Sequence, residues 1–167
     1  MGYYVYIIDS NITIPQKNYA KAVQVFKSLM SVADIKGKGG RWGPGGQVAA
    51  WYSWVDTNKA MEHLNNPDTE KGLLLFFTEW GYVFEDTDDG LTLAYKERDK
   101  WGDDEHLLSC LRLVVNDSNY IRFRGEEGEH FGFGFQRGVM YQETGEVVWS
   151  KDQSTPTGRK ECQKQLQ

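Results

Sequence analysis

The chain has 167 residues, a formal net charge of −5, and 40% apolar and 14% aromatic residues. That length suits one domain with its own core, and the apolar content excludes a disordered chain. The acidic balance weighs against direct nucleic-acid binding through a broad basic patch, and no apolar run approaches the ~20 residues that span a bilayer. The two cysteines, Cys110 and Cys162, form neither a disulfide framework nor a metal knuckle. Since the opening Met1–Asp9 lacks a basic n-region and a small-residue cleavage site, the expected compartment is a reducing cytoplasm.

Residues 3–8, Tyr-Tyr-Val-Tyr-Ile-Ile, read as a first strand, being nearly all aromatic or β-branched. Pro15 stands at the first helical position of an amphipathic helix over about 15–33. Tyr19, Ala22, Val23, Phe26, Leu29, Met30 and Ala33 recur there at three- and four-residue steps. Residues 36–47 are glycine-rich but lack the G-x-x-x-x-G-K-[ST] pattern that presents amides to a phosphate. They read as a mobile loop with an exposed Arg41-Trp42 tip. Residues 49–55, with Trp51 and Trp54, read as a strand, followed by a short helix capped by Asp56 or Thr57 and running to Asn65.

Asp68 caps a further helix over 69–80, with Leu73, Leu74, Phe77 and Trp80 inward and Gly81 as its stop. Residues 82–85 and 91–95 form a hairpin around the Asp-rich turn 86–90. Asp103 caps a helix over 104–115, with Leu107, Leu108, Leu111, Val114 and Val115 buried. A meander follows at 119–124, 129–136, 138–142 and 146–150, with Thr144-Gly145 as its last turn. Phe131, Phe133 and Phe135 share one face by the two-residue period. Gly132 and Gly134 lie on the other, where bare glycines imply a bulge, a bend or a large neighbouring ring. The expected fold is α+β: an antiparallel sheet with a C-terminal four-strand meander, packed by about three main helices. Residues 1–150 make a single domain and 151–167 a polar tail.

Catalytic patterns are missing from the sequence. His63, His106 and His130 have no H-E-x-x-H spacing, and no G-x-S-x-G occurs. Asp86, Asp88, Asp89 and Gly90 resemble a calcium loop, but glycine falls at the fifth position, not the sixth. The expectation is a protein that is not an enzyme and needs no metal or organic cofactor.

The charge is uneven. Residues 1–78 hold eight Lys/Arg and six Asp/Glu, and residues 106–167 hold eight of each. Residues 79–105 hold three against ten, which gives −7. Glu85, Asp86, Asp88, Asp89, Asp99, Asp103, Asp104 and Glu105 form this acidic strip, whose ordinary reading is a solvated surface. Such a strip also imitates the phosphate line of DNA and steers toward a basic partner.

Trp101-Gly102-Asp103-Asp104-Glu105-His106-Leu107-Leu108 fits W-x-D-x-E-x-x-L, and residues 121–129 fit I-x-F-x-G-E-x-G-E. With the opening Met-Gly-Tyr-Tyr, this pattern resembles small, mostly uncharacterised proteins of bacteriophages and mobile elements. The resemblance covers about residues 100–141 and the start. It implies a bacterial host cell and a protein that binds and blocks a host machine. Joined to the acidic strip, it leads to an expected anti-defence inhibitor, of anti-CRISPR or anti-restriction type, that mimics DNA before a nucleic-acid enzyme. One alternative is a nucleotide-signal sponge in which Arg41, Trp42, Trp51 and Trp54 clamp the ligand. Others are an immunity protein against a toxin nuclease and a multimeric virion component.

Overall fold

A computed structural model of the chain describes residues 3–31, 40–42, 48–52 and 55–146. In chain order the elements are β1 (Tyr3–Ser10), β2 (Thr13–Ile14), a 3-10 turn (Gln16–Asn18), α1 (Tyr19–Ser31), β3 (Gly40–Trp42), β4 (Val48–Tyr52) and β5 (Val55–Asp56). Then come α2 (Thr57–Leu64), α3 (Thr69–Glu79), β6 (Tyr82–Thr87), β7 (Gly90–Lys96), β8 (Lys100–Trp101), α4 (Asp104–Leu111), β9 (Tyr120–Gly125), β10 (His130–Gln136) and β11 (Val139–Gly145). The fold class is α+β, with antiparallel pairing throughout the described sheets and four α-helices among the described residues.

The largest sheet has the order β11-β10-β9-β1-β8; two three-stranded sheets have the orders β2-β7-β6 and β3-β4-β5. Helix α1 touches α2, α3 and α4. Its buried residues are Tyr19, Ala22, Phe26, Leu29 and Met30, five of the stripe that the spacing predicts; Val23 is only half-buried and Ala33 lies outside the described residues. Pro15 does not open this helix. It is extended (φ −60°, ψ 144°), because Ile14 is still paired with Leu91, and α1 begins only after the 3-10 turn.

Two of the expected caps are present. The Asp56 carboxylate accepts from the amides of Asn58 and Lys59 (3.0 and 3.1 Å), and that of Asp68 accepts from Lys71 (3.1 Å). Each satisfies amides that the first helical turn leaves without partners. Phe76, absent from the expected stripe of α3, is fully buried. It stacks on Phe26 at 4.9 Å between centroids, and Phe77 stacks on Phe84 at 4.1 Å.

The meander is corrected at both ends. Helix α4 stops at Leu111, and turns carry the chain to β9. Thr144 and Gly145 make no turn: His130 pairs with Gly145 and Phe131 with Thr144, so β11 runs on where the expected strand 138–142 stops. Three strands of the meander are therefore in place, residues 147–150 of the fourth lie outside the described residues, and β1 completes the sheet beside β9. The tail 151–167 also lies outside them. At the β10–β11 turn, Arg137 (φ 51°) and Gly138 (φ 70°) both take the left-handed conformation of a tight hairpin turn.

Trp101 joins the edge strand β8 to the sheet core. Its ring meets Phe123 at 5.2 Å, Phe131 at 5.5 Å and Phe133 at 6.3 Å. Leu108, Ile121 and Phe123 are fully buried. Trp101 thus packs the edge strand β8 against the phenylalanines of the β9–β10 pair.

Candidate binding surfaces

The acidic strip divides into two clusters and loses one member. Glu85, Asp86, Asp88 and Asp89 are exposed at the tip of the β6–β7 hairpin. The turn is tighter than the expected 86–90: Thr87 pairs with Gly90, leaving only Asp88 and Asp89 between the strands. The Thr87 hydroxyl fastens it by donating to the Gly90 carbonyl at 2.8 Å. Among the described residues none of the four carboxylates is in an ion pair. Burial first, then the charges of Glu70 and Asp86, push the Tyr19 hydroxyl above its ordinary value.

Asp99, Asp103 and Glu105 lie at the opposite end of this hairpin, where β7 leads into α4. At about 3.4 Å per residue, β6 itself is about 17 Å long. Asp103 makes no side-chain cap bond to α4. Asp104 is not a surface residue at all; it is 2% exposed. Its Oδ2 accepts from Lys96 Nζ at 2.9 Å and from the Tyr82 hydroxyl at 2.8 Å, and its Oδ1 accepts from the Gly102 amide at 3.2 Å. Lys96 Nζ also sits 4.3 Å from the centroid of the Tyr82 ring. A carboxylate without such partners would not be buried, so Asp104 leaves the partner-facing set and becomes the pin between α4 and the β6–β7 hairpin. Burial, with Asp104 beside it, pushes the Tyr82 hydroxyl well above its ordinary value.

The aromatic clamp is described only by its backbone. Arg41 and Trp42, expected in a loop, lie in β3 opposite Ala49 and Val48, and Trp51 in β4 is opposite Asp56. Trp54 and the side chains of Arg41, Trp42 and Trp51 lie outside the described residues. Cys110 is half-buried, and burial pushes its thiol up against the weaker opposing charge of Arg112, which disfavours the nucleophilic thiolate. His63 sits beside Glu79 (Nε2 to Oε1, 3.4 Å), which also takes Lys59 Nζ at 2.6 Å. Among the described residues no three His, Cys, Asp or Glu side chains gather as a metal site. No described helix is long and apolar enough to cross a membrane.

A second surface escaped the sequence reading: the outer face of the five-stranded sheet. Tyr4, Tyr6 and Ile8 of β1 and Val139 and Tyr141 of β11 are exposed there. Between them run Tyr120, Arg122 and Arg124 of β9, and β10 contributes Gly132 and Gly134. The glycines are gaps through which neighbouring strands reach across β10. A Cβ at Gly134 would collide with the Tyr141 ring, which is the large ring that bare glycine implied. A Cβ at Gly132 would stand 2.7 Å from the Ile121 carbonyl oxygen and 3.0 Å from Arg122 Cγ.

Over that gap Arg122 donates from Nε to Glu143 at 3.1 Å. Its other end reaches Asp9 at 3.4 Å, and its guanidinium lies 4.4 Å from the centroid of the Tyr120 ring. The Tyr120 hydroxyl donates to Asp9 at 2.9 Å. A bulge between Ile7 and Asp9 sets Ile8 beside this network. The legible signal was that Tyr4, Tyr6 and Ile8 alternate with Tyr3, Val5 and Ile7, which places bulky residues on both faces of β1.

No protein-family model matches the chain, and no match emerges among the curated proteins or the solved structures compared with it.

Proposed function

We propose that this is a binding protein without chemistry of its own, which works by occupying a basic surface of a host nucleic-acid enzyme. The phage-protein resemblance supplies the setting: the bacterial cytoplasm, and a defence enzyme of the CRISPR or restriction kind as target. The observation that carries the reading is the β6–β7 tip, where four exposed carboxylates lie on and beside a two-residue turn with no ion pair among the described residues. Carboxylates in use as structural partners are engaged: Asp9, Glu79, Asp104 and Glu143 all hold cations. Those of the tip are left to act outward, where unscreened negative charge steers a basic channel into contact.

The test is capture of the tagged full chain's partner from a bacterial lysate that contains defence nucleases, followed by displacement with duplex DNA. The reading expects stoichiometric recovery of a nucleic-acid enzyme that DNA competes off. Recovery of such an enzyme with its DNA site still open, or of none in a lysate that contains them, contradicts it.

A further inference from the structure

We propose that the chain forms a two-fold dimer in which β11 pairs antiparallel with β11 of a second copy, centred on Gln142, so that the two five-stranded sheets become one. This goes beyond the acidic-tip reading and uses different residues.

The first support is the contrast between β11 and the other sheet edges. An edge strand presents a row of unpaired N–H and C=O groups, and proteins that keep such an edge to themselves blunt it by shortness, a bulge, proline or charge. Among the described residues, the edge strands β2, β5 and β8 have two residues each and β3 has three. The six-residue edge β6 carries a register shift at Val83/Phe84 and the charges of Glu85 and Asp86. Strand β11 has none of these devices. It runs for seven residues in unbroken register with β10 and contains no proline, lysine or arginine. Its one charged residue, Glu143, is already engaged with Arg122.

The second support is the direction of the main-chain groups. Arg137 and Gly138 make a two-residue turn, so the paired Gln136 and Val139 turn their amides and carbonyls toward each other. At the next pair the direction reverses. The Phe135 amide donates to the Asn119 carbonyl, and the Phe135 carbonyl accepts from the Ser118 amide, both at 2.9 Å and both away from β11. Its partner Met140 therefore turns its own amide and carbonyl away from β10, and by the two-residue period Gln142 and Thr144 do the same. Pairing centred on Gln142 matches Met140 with Thr144 of the second copy, Gln142 with its own equivalent, and Thr144 with Met140. Every outward residue of β11 then belongs to a pair that exchanges two main-chain bonds.

The third support is the charge pattern, which selects a second copy as the occupant. In this register Glu143 falls opposite Tyr141 of the second copy, and Val139, 58% exposed in the single chain, falls opposite Gly145. Glu146, one step beyond the strand, falls opposite Gly138 and so beside Arg137 of the second copy. Both charged residues are exposed, and neither is in an ion pair among the described residues. The two-fold axis repeats this acid-to-base match at the other end of the ladder. Moving the centre to residue 143 would instead set the two Glu143 side chains directly against each other, which is unfavourable. Strand β11 also lies outside the acidic segment 79–105, so the main source of self-repulsion is not on the seam.

The experiment is sedimentation velocity of the full chain. One strand pair is smaller than a standard interface, so the series runs from about 1 µM to about 1 mM. A concentration-dependent passage from monomer to dimer, with no larger species, is expected. Gln142→Pro removes an outward amide from each copy and leaves the β10 ladder intact; it should weaken the dimer at least about ten-fold, the scale of two lost hydrogen bonds. Gln142→Lys sets like charges on the axis and should weaken it as well. Asp88→Lys, in the β6–β7 turn, should leave it unchanged. The proposal is overturned if the chain stays monomeric throughout. Hydrogen exchange then tells what becomes of the edge: fast exchange at residues 140, 142 and 144 leaves it open to a strand of another protein, and slow exchange shows it covered by the chain itself. It is equally overturned if both Gln142 variants, shown folded by circular dichroism, dimerise as well as the parent.

Discussion

Two ionic networks of similar composition sit in opposite surroundings. Lys96, Asp104 and Tyr82 form a cation, a carboxylate and a phenol inside the protein, and Arg122, Asp9, Glu143 and Tyr120 form the same kinds of group on an open sheet face. In both, a cation lies over a tyrosine ring, at 4.3 Å inside and 4.4 Å outside. The difference is water. Inside, each member is indispensable to the others, because a buried charge without its partner is expensive. Outside, solvent replaces any member that is lost, so the network contributes little to stability.

Breaking the inner network should have the largest effect. Lys96→Met removes the cation 2.9 Å from the buried Asp104 carboxylate, and should cost about 3–5 kcal/mol in urea denaturation. Adding Asp104→Leu to it should recover part of that loss, since it removes the buried carboxylate but takes the acceptor from the Tyr82 hydroxyl and the Gly102 amide.

Next comes Tyr82→Phe, which removes a hydrogen bond to a carboxylate and should cost about 1.5–3 kcal/mol. It also has a pH signature. The Tyr82 hydroxyl is pushed well above the ordinary value of 10.0 by burial and by Asp104. Its contribution is therefore complete below pH 10.0 and is lost as the pH rises from there toward the folded-state value. Stability measured across the alkaline range should fall less steeply in Tyr82→Phe than in the parent.

Smaller effects belong to exposed groups with one defined task. Asp56→Ala and Asp68→Ala each remove a cap from a helix start and should cost about 1 kcal/mol in the same measurement. Smallest of all is Arg122→Gln, whose urea midpoint should stay close to that of the parent although the substitution removes both ion pairs of the outer network and its cation over the Tyr120 ring. A large loss there would erase the contrast between the two networks.

The same contrast decides what was legible in the sequence. The caps at Asp56 and Asp68 and the stripe of α1 depend on residues a few positions apart, so local spacing gives them. Asp104 does not: it is flanked by Asp103 and Glu105, and three consecutive acids look alike in sequence. What singles it out is Lys96 and Tyr82, brought to it by the β6–β7 register. Thr144-Gly145 reads locally as a turn, yet pairing with His130 and Phe131 carries the strand through it. Gly132 and Gly134 were legible as gaps, and Tyr141 fills one of them as that pattern implies. The outer network beside them draws on three strands, two of them more than a hundred residues apart in the chain, and no local spacing encodes that.

The most direct test of the binding account is capture with the parent and with Asp86→Lys, Asp88→Lys, Asp89→Lys side by side, each shown folded by circular dichroism. The account predicts that a nucleic-acid enzyme recovered by the parent is lost from the charge-reversed chain. Equal recovery by both would contradict it.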